Sequence, residues 1–131
     1  MDLITLQLLE KLIRANACNG VEISSGVLQI VFGSSRLIVQ SSWRIVSDSE
    51  IVVASDSDME QSEDIAMLLH NLSVDRVSVS TLFNDLELYF GSKALLQTFA
   101  DSEKYEHWYF TSGPQEMIVA GPGKLWSLFK P

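Results

Sequence analysis

Leu28-Gln29-Ile30-Val31-Phe32-Gly33-Ser34 decides the fold, because fifty-eight positions later it returns as Leu86-Glu87-Leu88-Tyr89-Phe90-Gly91-Ser92. In both copies Leu, Ile/Leu and Phe recur at every second residue, the period of a strand that buries one face. Gly-Ser then supplies a turn. Trp43 and Trp108 follow the copies, and after each Trp comes a short apolar strand, Ile51–Ala54 and Ile118–Ala120. A helix-like segment precedes each copy. The repetition predicts two quasi-equivalent helix-plus-strands units, 1–55 and 56–131, closing around one core in a single domain.

Working outward, Leu3 to Ala15 carries Leu6, Leu9, Leu12 and Ile13 at helical spacing. Asp2 is placed to cap its start, and Asn19-Gly20 to accept a left-handed turn beyond its end. Ile4 and Leu8 widen the apolar face, so a homodimer through this helix is one expectation. Val21–Ile23 and Val27–Phe32 predict a hairpin across Ser24-Ser25-Gly26. Leu37, Val39 and Trp43 alternate with Arg36, Gln40 and Arg44, which predicts one half-buried strand. Ser57 and Glu60 have capping-box spacing. Ile65, Leu68, Leu69 and Leu72 then predict a second helix. Beyond it, Val77–Thr81, Leu86–Phe90, Ala94–Phe99, the aromatic run Tyr105–Phe110 and Met117–Ala120 predict further strands. Ser112-Gly113-Pro114 and Gly121-Pro122-Gly123 read as turns, and Trp126 and Phe129 as a tail that packs down. The fold class is α+β, with two helices and a mainly antiparallel sheet.

The chain has 131 residues, is 47% hydrophobic and carries a net charge of −8. That length can bury a sizeable core. The charge argues against nucleic acid or an anionic membrane surface, both of which want a basic face. It leaves room for a basic protein partner or a cation, and solubility alone would account for it. Cys18 is the single cysteine, so no disulfide can form within the chain, and a reducing, cytoplasmic location is expected. Asp2 and Glu10-Lys11 interrupt the first apolar run, unlike a secretory signal.

Between Arg44 and Arg76 there is no Lys or Arg, while Asp48, Glu50, Asp56, Asp58, Glu60, Glu63, Asp64 and Asp75 fall in that interval. Asp56-x-Asp58-x-Glu60 opens like a calcium loop. Gln61 then stands in place of the turn glycine and Met67 in place of the bidentate Glu, so no metal is expected. The stretch is either a docking face or solvated acid at a helix start. His70 and His107 lack metal-ligand spacing. A pairing of Cys18 with a His stays open in principle, but no positioned nucleophile is visible. Gly121-Pro122-Gly123-Lys124 lacks phosphate-loop spacing. Tyr105, Glu106, His107 and Trp108, with Trp43 from the first unit, form the candidate binding cluster. Trp43 and Trp108 would line a pocket between the units, with Glu106 and His107 as its polar contacts.

Asp85-Leu86-Glu87-Leu88-Tyr89-Phe90-Gly91, Tyr105-Glu106-His107-Trp108 and Ile118-Val119-Ala120-Gly121-Pro122-Gly123 together resemble a family of small bacterial domains. That family's pattern is D-L-x-L-x-F, Y-E-x-W and a closing G-x-G. The likeness covers the last third to half of the chain, and the first unit departs from it at Val27 and Ser42-Trp43. It implies an accessory or immunity-type role beside bacterial toxins, with no catalytic residues to carry over. The combined expectation is a non-enzymatic, cofactor-free protein-binding module meeting a basic toxin, or alternatively a small-ligand domain.

Overall fold

The computed structural model describes residues 1–55, 61–113 and 116–129, and of residues 61, 62 and 116 the backbone alone. Asp56, Asp58 and Glu60, the Ser57 cap and Pro114 lie outside the described residues. Two helices, α1 (Leu3–Arg14) and α2 (Gln61–Leu69), accompany eleven strands. These are β1 (Gly20–Ser24), β2 (Val27–Phe32), β3 (Ser35–Val39), β4 (Ser42–Ser47), β5 (Glu50–Ala54) and β6 (Arg76–Val79). After them come β7 (Leu86–Phe90), β8 (Ala94–Phe99), β9 (Trp108–Ser112), β10 (Glu116–Ala120) and β11 (Trp126–Phe129). They form two antiparallel sheets, ordered β1-β2-β3-β9-β10-β11 and β5-β4-β8-β7-β6. The architecture is α+β, and no helix among the described residues is long and apolar enough to cross a membrane.

Each sheet sends alternate residues into one core, as the period of a strand requires. Across the first sheet Ile30, Leu37, Phe110, Ile118 and Leu128 stand in register. Across the second the row is Val53, Ile45, Leu96, Leu88 and Val77. Phe32 and Phe90, the aromatic residues of the two repeated motifs, come from opposite sheets and stack at 6.4 Å between centroids. Trp43 and Trp108 are buried. Trp43 Nε1 donates to the Gly26 carbonyl, and Trp108 Nε1 to that of Asn84, both at 2.9 Å. Each indole thus ties its own sheet to a turn of the other one.

The helices follow from local chemistry. Asp2 Oδ1 accepts from the Thr5 amide at 2.8 Å, and the Thr5 side chain, followed by this amide, holds the Asp2 carboxyl below its usual range. Leu9 and Ile13 of α1, and Ile65 and Leu69 of α2, point into the core. Leu3 and Ile4 at the start of α1 remain exposed. Gly33 closes the β2–β3 turn at φ +65°, where an added Cβ would meet Asn16 Cγ at 2.9 Å. The positive φ therefore favours glycine at position 33, and a larger residue would also have to push the exposed Asn16 side chain aside.

Three expectations are corrected. The run from Arg36 to Arg44 is not one strand: it breaks at Gln40 and Ser41, so that β3 and β4 lie in different sheets. Tyr105 and Glu106 precede β9 rather than forming part of it, because Ser102 Oγ holds residues 102–105 in a turn. Trp126 to Phe129 form an edge strand on β10, since their amides and carbonyls find partners there.

The indole ties predict a stability effect. Trp108→Phe strands the Asn84 carbonyl and opens a gap, and should cost about 2–3 kcal/mol. Trp43→Phe should cost a similar amount through Gly26. Urea unfolding measures both, and a loss below about 0.5 kcal/mol, the scale of a surface change, would contradict the ties.

Candidate functional site

The segment 100–107 joins β8 to β9 across the two sheets and holds the candidates Tyr105, Glu106 and His107. Its backbone shape is set by hydrogen bonds from several directions. The Ala100 amide donates to Asp85 Oδ1 at 2.7 Å. Asp101 Oδ2 accepts from the Ser42 hydroxyl at 2.7 Å and from its amide at 3.0 Å. Ser102 Oγ accepts from the amides of Lys104 and Tyr105 at 3.0 and 2.9 Å, which winds a tight turn. The far end is fixed by His107, whose amide donates to Ala120 O and whose carbonyl accepts from the amides of Gln40 and Ser41.

The Gly121-Pro122-Gly123 turn packs against this segment, and its two glycines make the approach possible. Gly121 has φ +93°, and a Cβ there would lie 2.9 Å from the His107 amide nitrogen. At Gly123, φ +55°, a Cβ would lie 2.7 Å from Glu103 Oε2. The Gly123 amide donates to the Ser102 carbonyl at 2.9 Å. The same carbonyl lies 2.9 Å from His107 Nε2. A carbonyl only accepts, so Nε2 carries the proton of that bond. Nδ1 of the ring is buried and has no hydrogen-bond partner.

Two clefts flank the segment. The larger, about 560 Å³, is lined by Gln40, Asp101, Ser102, Lys104, Tyr105, Glu106 and Pro122. The smaller, about 260 Å³, is lined by Phe83, Ala100, Asp101, Ser102, Glu103, His107 and Gly123. Tyr105 is 73% exposed, and Asp101, Glu103, Lys104 and Glu106 are exposed around it. The exposed Tyr105 phenol thus shares the larger cleft with the acids Asp101 and Glu106 and with Lys104.

The structure therefore separates the predicted binding residues. Tyr105 and Glu106 share the larger cleft. His107 belongs to the smaller one. Trp43 and Trp108 are core residues at 1% and 0% exposure, and neither lines either of these two clefts. Asp56, Asp58 and Glu60 fall outside the described residues. Asp101, Ser102, Glu103, Phe83 and Gly123 went unrecognised in the sequence. Their signal was the density of acids in Asp101–Glu106 beside a Gly-Pro-Gly turn. Among the described residues no three His, Cys, Asp or Glu side chains gather as a metal site.

A polar ladder on the second sheet is the other organised surface. Arg44 Nε donates to Gln97 Oε1 and Gln97 Nε2 to Glu87 Oε2, both at 2.7 Å. Arg44 also lies over Phe99 and Arg76 over Tyr89, at 5.0 and 4.7 Å from the ring centroids. The donors and acceptors of this ladder satisfy one another, which is a structural role.

Comparison finds no matching family model, no matching curated protein and no matching solved structure.

Cys18 is buried, with Sγ 3.6 Å from the Gly20 carbonyl, and burial pushes its thiol above the usual value. A nucleophile needs the opposite shift. The folded chain keeps this proton to higher pH than the unfolded chain does. The linked stability is therefore complete below the ordinary thiol value, ~8.5, and is lost as pH rises through the folded one. Urea midpoints at rising alkaline pH should fall more steeply for the wild type than for Cys18→Ala. Parallel slopes would contradict the shift.

Proposed function

We propose that this protein is a non-catalytic protein-binding module whose 100–107 segment docks a basic partner, in the manner of an immunity protein meeting a toxin. The observation that carries this reading is Tyr105, 73% exposed on a hydrogen-bonded segment whose neighbours Asp101, Glu103 and Glu106 are exposed acids. Aromatic anchors within a charged rim are where binding energy concentrates. The net charge of −8 would steer a basic partner toward the chain and raise its association rate.

We infer an internal duplication, and it supports the same reading. We take the two halves as copies of one unit, each giving its last hairpin to the other's sheet. The β1-β2-β3-β9-β10 order corresponds to β6-β7-β8-β4-β5. Asn19 and Asp75 correspond as well: the amide of each donates to the second strand after it, at Val31 O of β2 and Tyr89 O of β7. Their side chains accept from the motif glycines, Gly33 and Gly91, each at 3.0 Å. On this correspondence, Gln40 and Ser41 suffice to cross between sheets in the first half, whereas the second half uses residues 100–107. The additional length is not needed to cross, and additional loop length on a rigid frame is where function is commonly carried.

The test is capture from the native lysate at low and high salt, with bound proteins identified by mass. A basic protein should be held at low salt and released at high salt. Tyr105→Ala should weaken its retention about tenfold or more, as removal of an anchor does. Recovery of the chain alone at both salts, or capture indifferent to Tyr105→Ala, would overturn the reading.

A further inference from the structure

We propose that the outer edge of β5 is a strand-acceptor site, taking an extended segment of a basic partner as a sixth strand of the second sheet. The site lies apart from the 100–107 surface, and the inference uses the correspondence of the two halves drawn above. On that correspondence the sheets have two pairs of equivalent edges, β1 with β6 and β10 with β5. Three of these four are covered: β1 packs against α2, β6 against α1, and β10 pairs with β11. β5 ends the second sheet, and among the described residues its one paired strand is β4. The place that β11 fills on the first sheet is therefore open on the second.

An edge strand presents backbone donors and acceptors to any passing chain, and proteins ordinarily guard it with lysine, proline or brevity. β5 reads Glu50-Ile51-Val52-Val53-Ala54, with neither lysine nor proline. Ile51 is 60% exposed and Val52 41%. What guards the strand is a single register shift, opposite Ile45 and Val46. The strand is also fixed from within. Val53 is buried in the core row, and the Ser55 amide just beyond the strand donates to the Trp43 carbonyl at 3.0 Å. An edge already held in extended form adds a strand at little ordering cost to itself.

The fold carries its own example of the occupant. On β10, Trp126 and Leu128 of β11 stand opposite Ala120 and Ile118 and are half-buried, while Ser127 and Phe129 stay exposed. In the sequence, Lys124 and Lys130 flank this strand. At β5 the charge calls for the same flanks. Asp48 and Glu50 are exposed at its start, and the sequence holds no Lys or Arg between Arg44 and Arg76. The occupant is thus an extended segment with apolar residues in alternation and Lys or Arg beside them. A second copy pairing β5 with β5 fits poorly, since it would gather the same acids in chains that each carry −8.

The experiment titrates the full chain, labelled with nitrogen-15, with the capped peptide Lys-Leu-Trp-Ser-Leu-Phe-Lys, the sequence of residues 124–130. The amides of Ile51, Val52 and Val53 should shift along a saturable curve. The same peptide with glutamate for both lysines should bind at least about fivefold more weakly, and so should the original peptide to the Glu50→Lys chain. Ile51→Lys, an exposed change that installs an edge lysine, should weaken binding about tenfold or more. Two further peptides are methylated on alternate amide nitrogens, one along each edge. The version blocked on the pairing edge should lose binding and the other keep it. Tyr105→Ala, on the separate cleft, should leave peptide binding intact. Shifts that fail to saturate or that centre on β10, equal binding of both methylated peptides, or indifference to Ile51→Lys would overturn the site. Self-association of the chain through the β5 amides would overturn it too, by making a second copy the occupant. If any of these occurs while Tyr105-dependent capture persists, the strand site falls and the docking reading stands. Peptide binding at β5 without Tyr105-dependent capture gives the reverse.

Discussion

The contact on which the molecule depends is the stack of Phe32 on Phe90. Each ring ends the apolar alternation of its own strand, and each strand belongs to a different sheet. An aromatic pair of this kind contributes about 0.5–1.5 kcal/mol beyond its buried area. Its larger effect is geometric. Once the two rings meet, the rows Ile30–Leu37–Phe110–Ile118 and Val53–Ile45–Leu96–Leu88 fall on the inward faces. A slip of one residue in either strand would turn its own inward set outward, Leu28, Ile30 and Phe32 in β2 or Leu86, Leu88 and Phe90 in β7. Trp43 and Trp108 then lock the two sheets, because an indole N–H buried without an acceptor is unfavourable and each finds its acceptor across the core.

The alternation that builds this core was legible in the sequence, as were both helices and the antiparallel α+β class. The crossing from β3 to β4 was not. Leu37, Val39, Ser41, Trp43 and Ile45 are all buried, so the period of two runs unbroken through Gln40 and Ser41. A chain that leaves one sheet and enters the next on the same parity leaves no mark in the hydrophobic pattern. Tyr105 was misplaced for the opposite reason. Its aromatic neighbours Trp108 and Phe110 suggested a continuous strand, and only the Ser102 turn, a hydrogen-bonding fact, ends it. The candidate site was legible to the same limited degree. Tyr105, Glu106 and His107 stood out, but the partner that places Asp101 is Ser42, 59 positions earlier. No local pattern carries such a pairing.

The acids of the site gain meaning from how little freedom surrounds them. The backbone of 100–107 is fastened to Asp85, Ser42, Ala120 and the Gln40–Ser41 crossing. A segment so fastened loses little conformational entropy on meeting a partner, and preorganisation of this kind raises affinity without adding contacts. Glu103 and Glu106 stand on that frame facing water, in a chain whose charge already favours cationic partners.

The Gly-Pro-Gly turn makes the frame specific. A helix or a strand at 121–123 would place Cβ atoms where the His107 backbone and the Glu103 carboxylate now lie. Left-handed glycines open that space, so the turn brings an imidazole and a carboxylate to one cleft without a charged residue of its own lining it. Buried polar atoms are normally paired. His107 Nδ1 breaks that rule within a structure that satisfies the indoles, the buried asparagine and the carbonyls around it. The exception belongs to a residue that lines the smaller cleft beside the exposed acids Asp101 and Glu103.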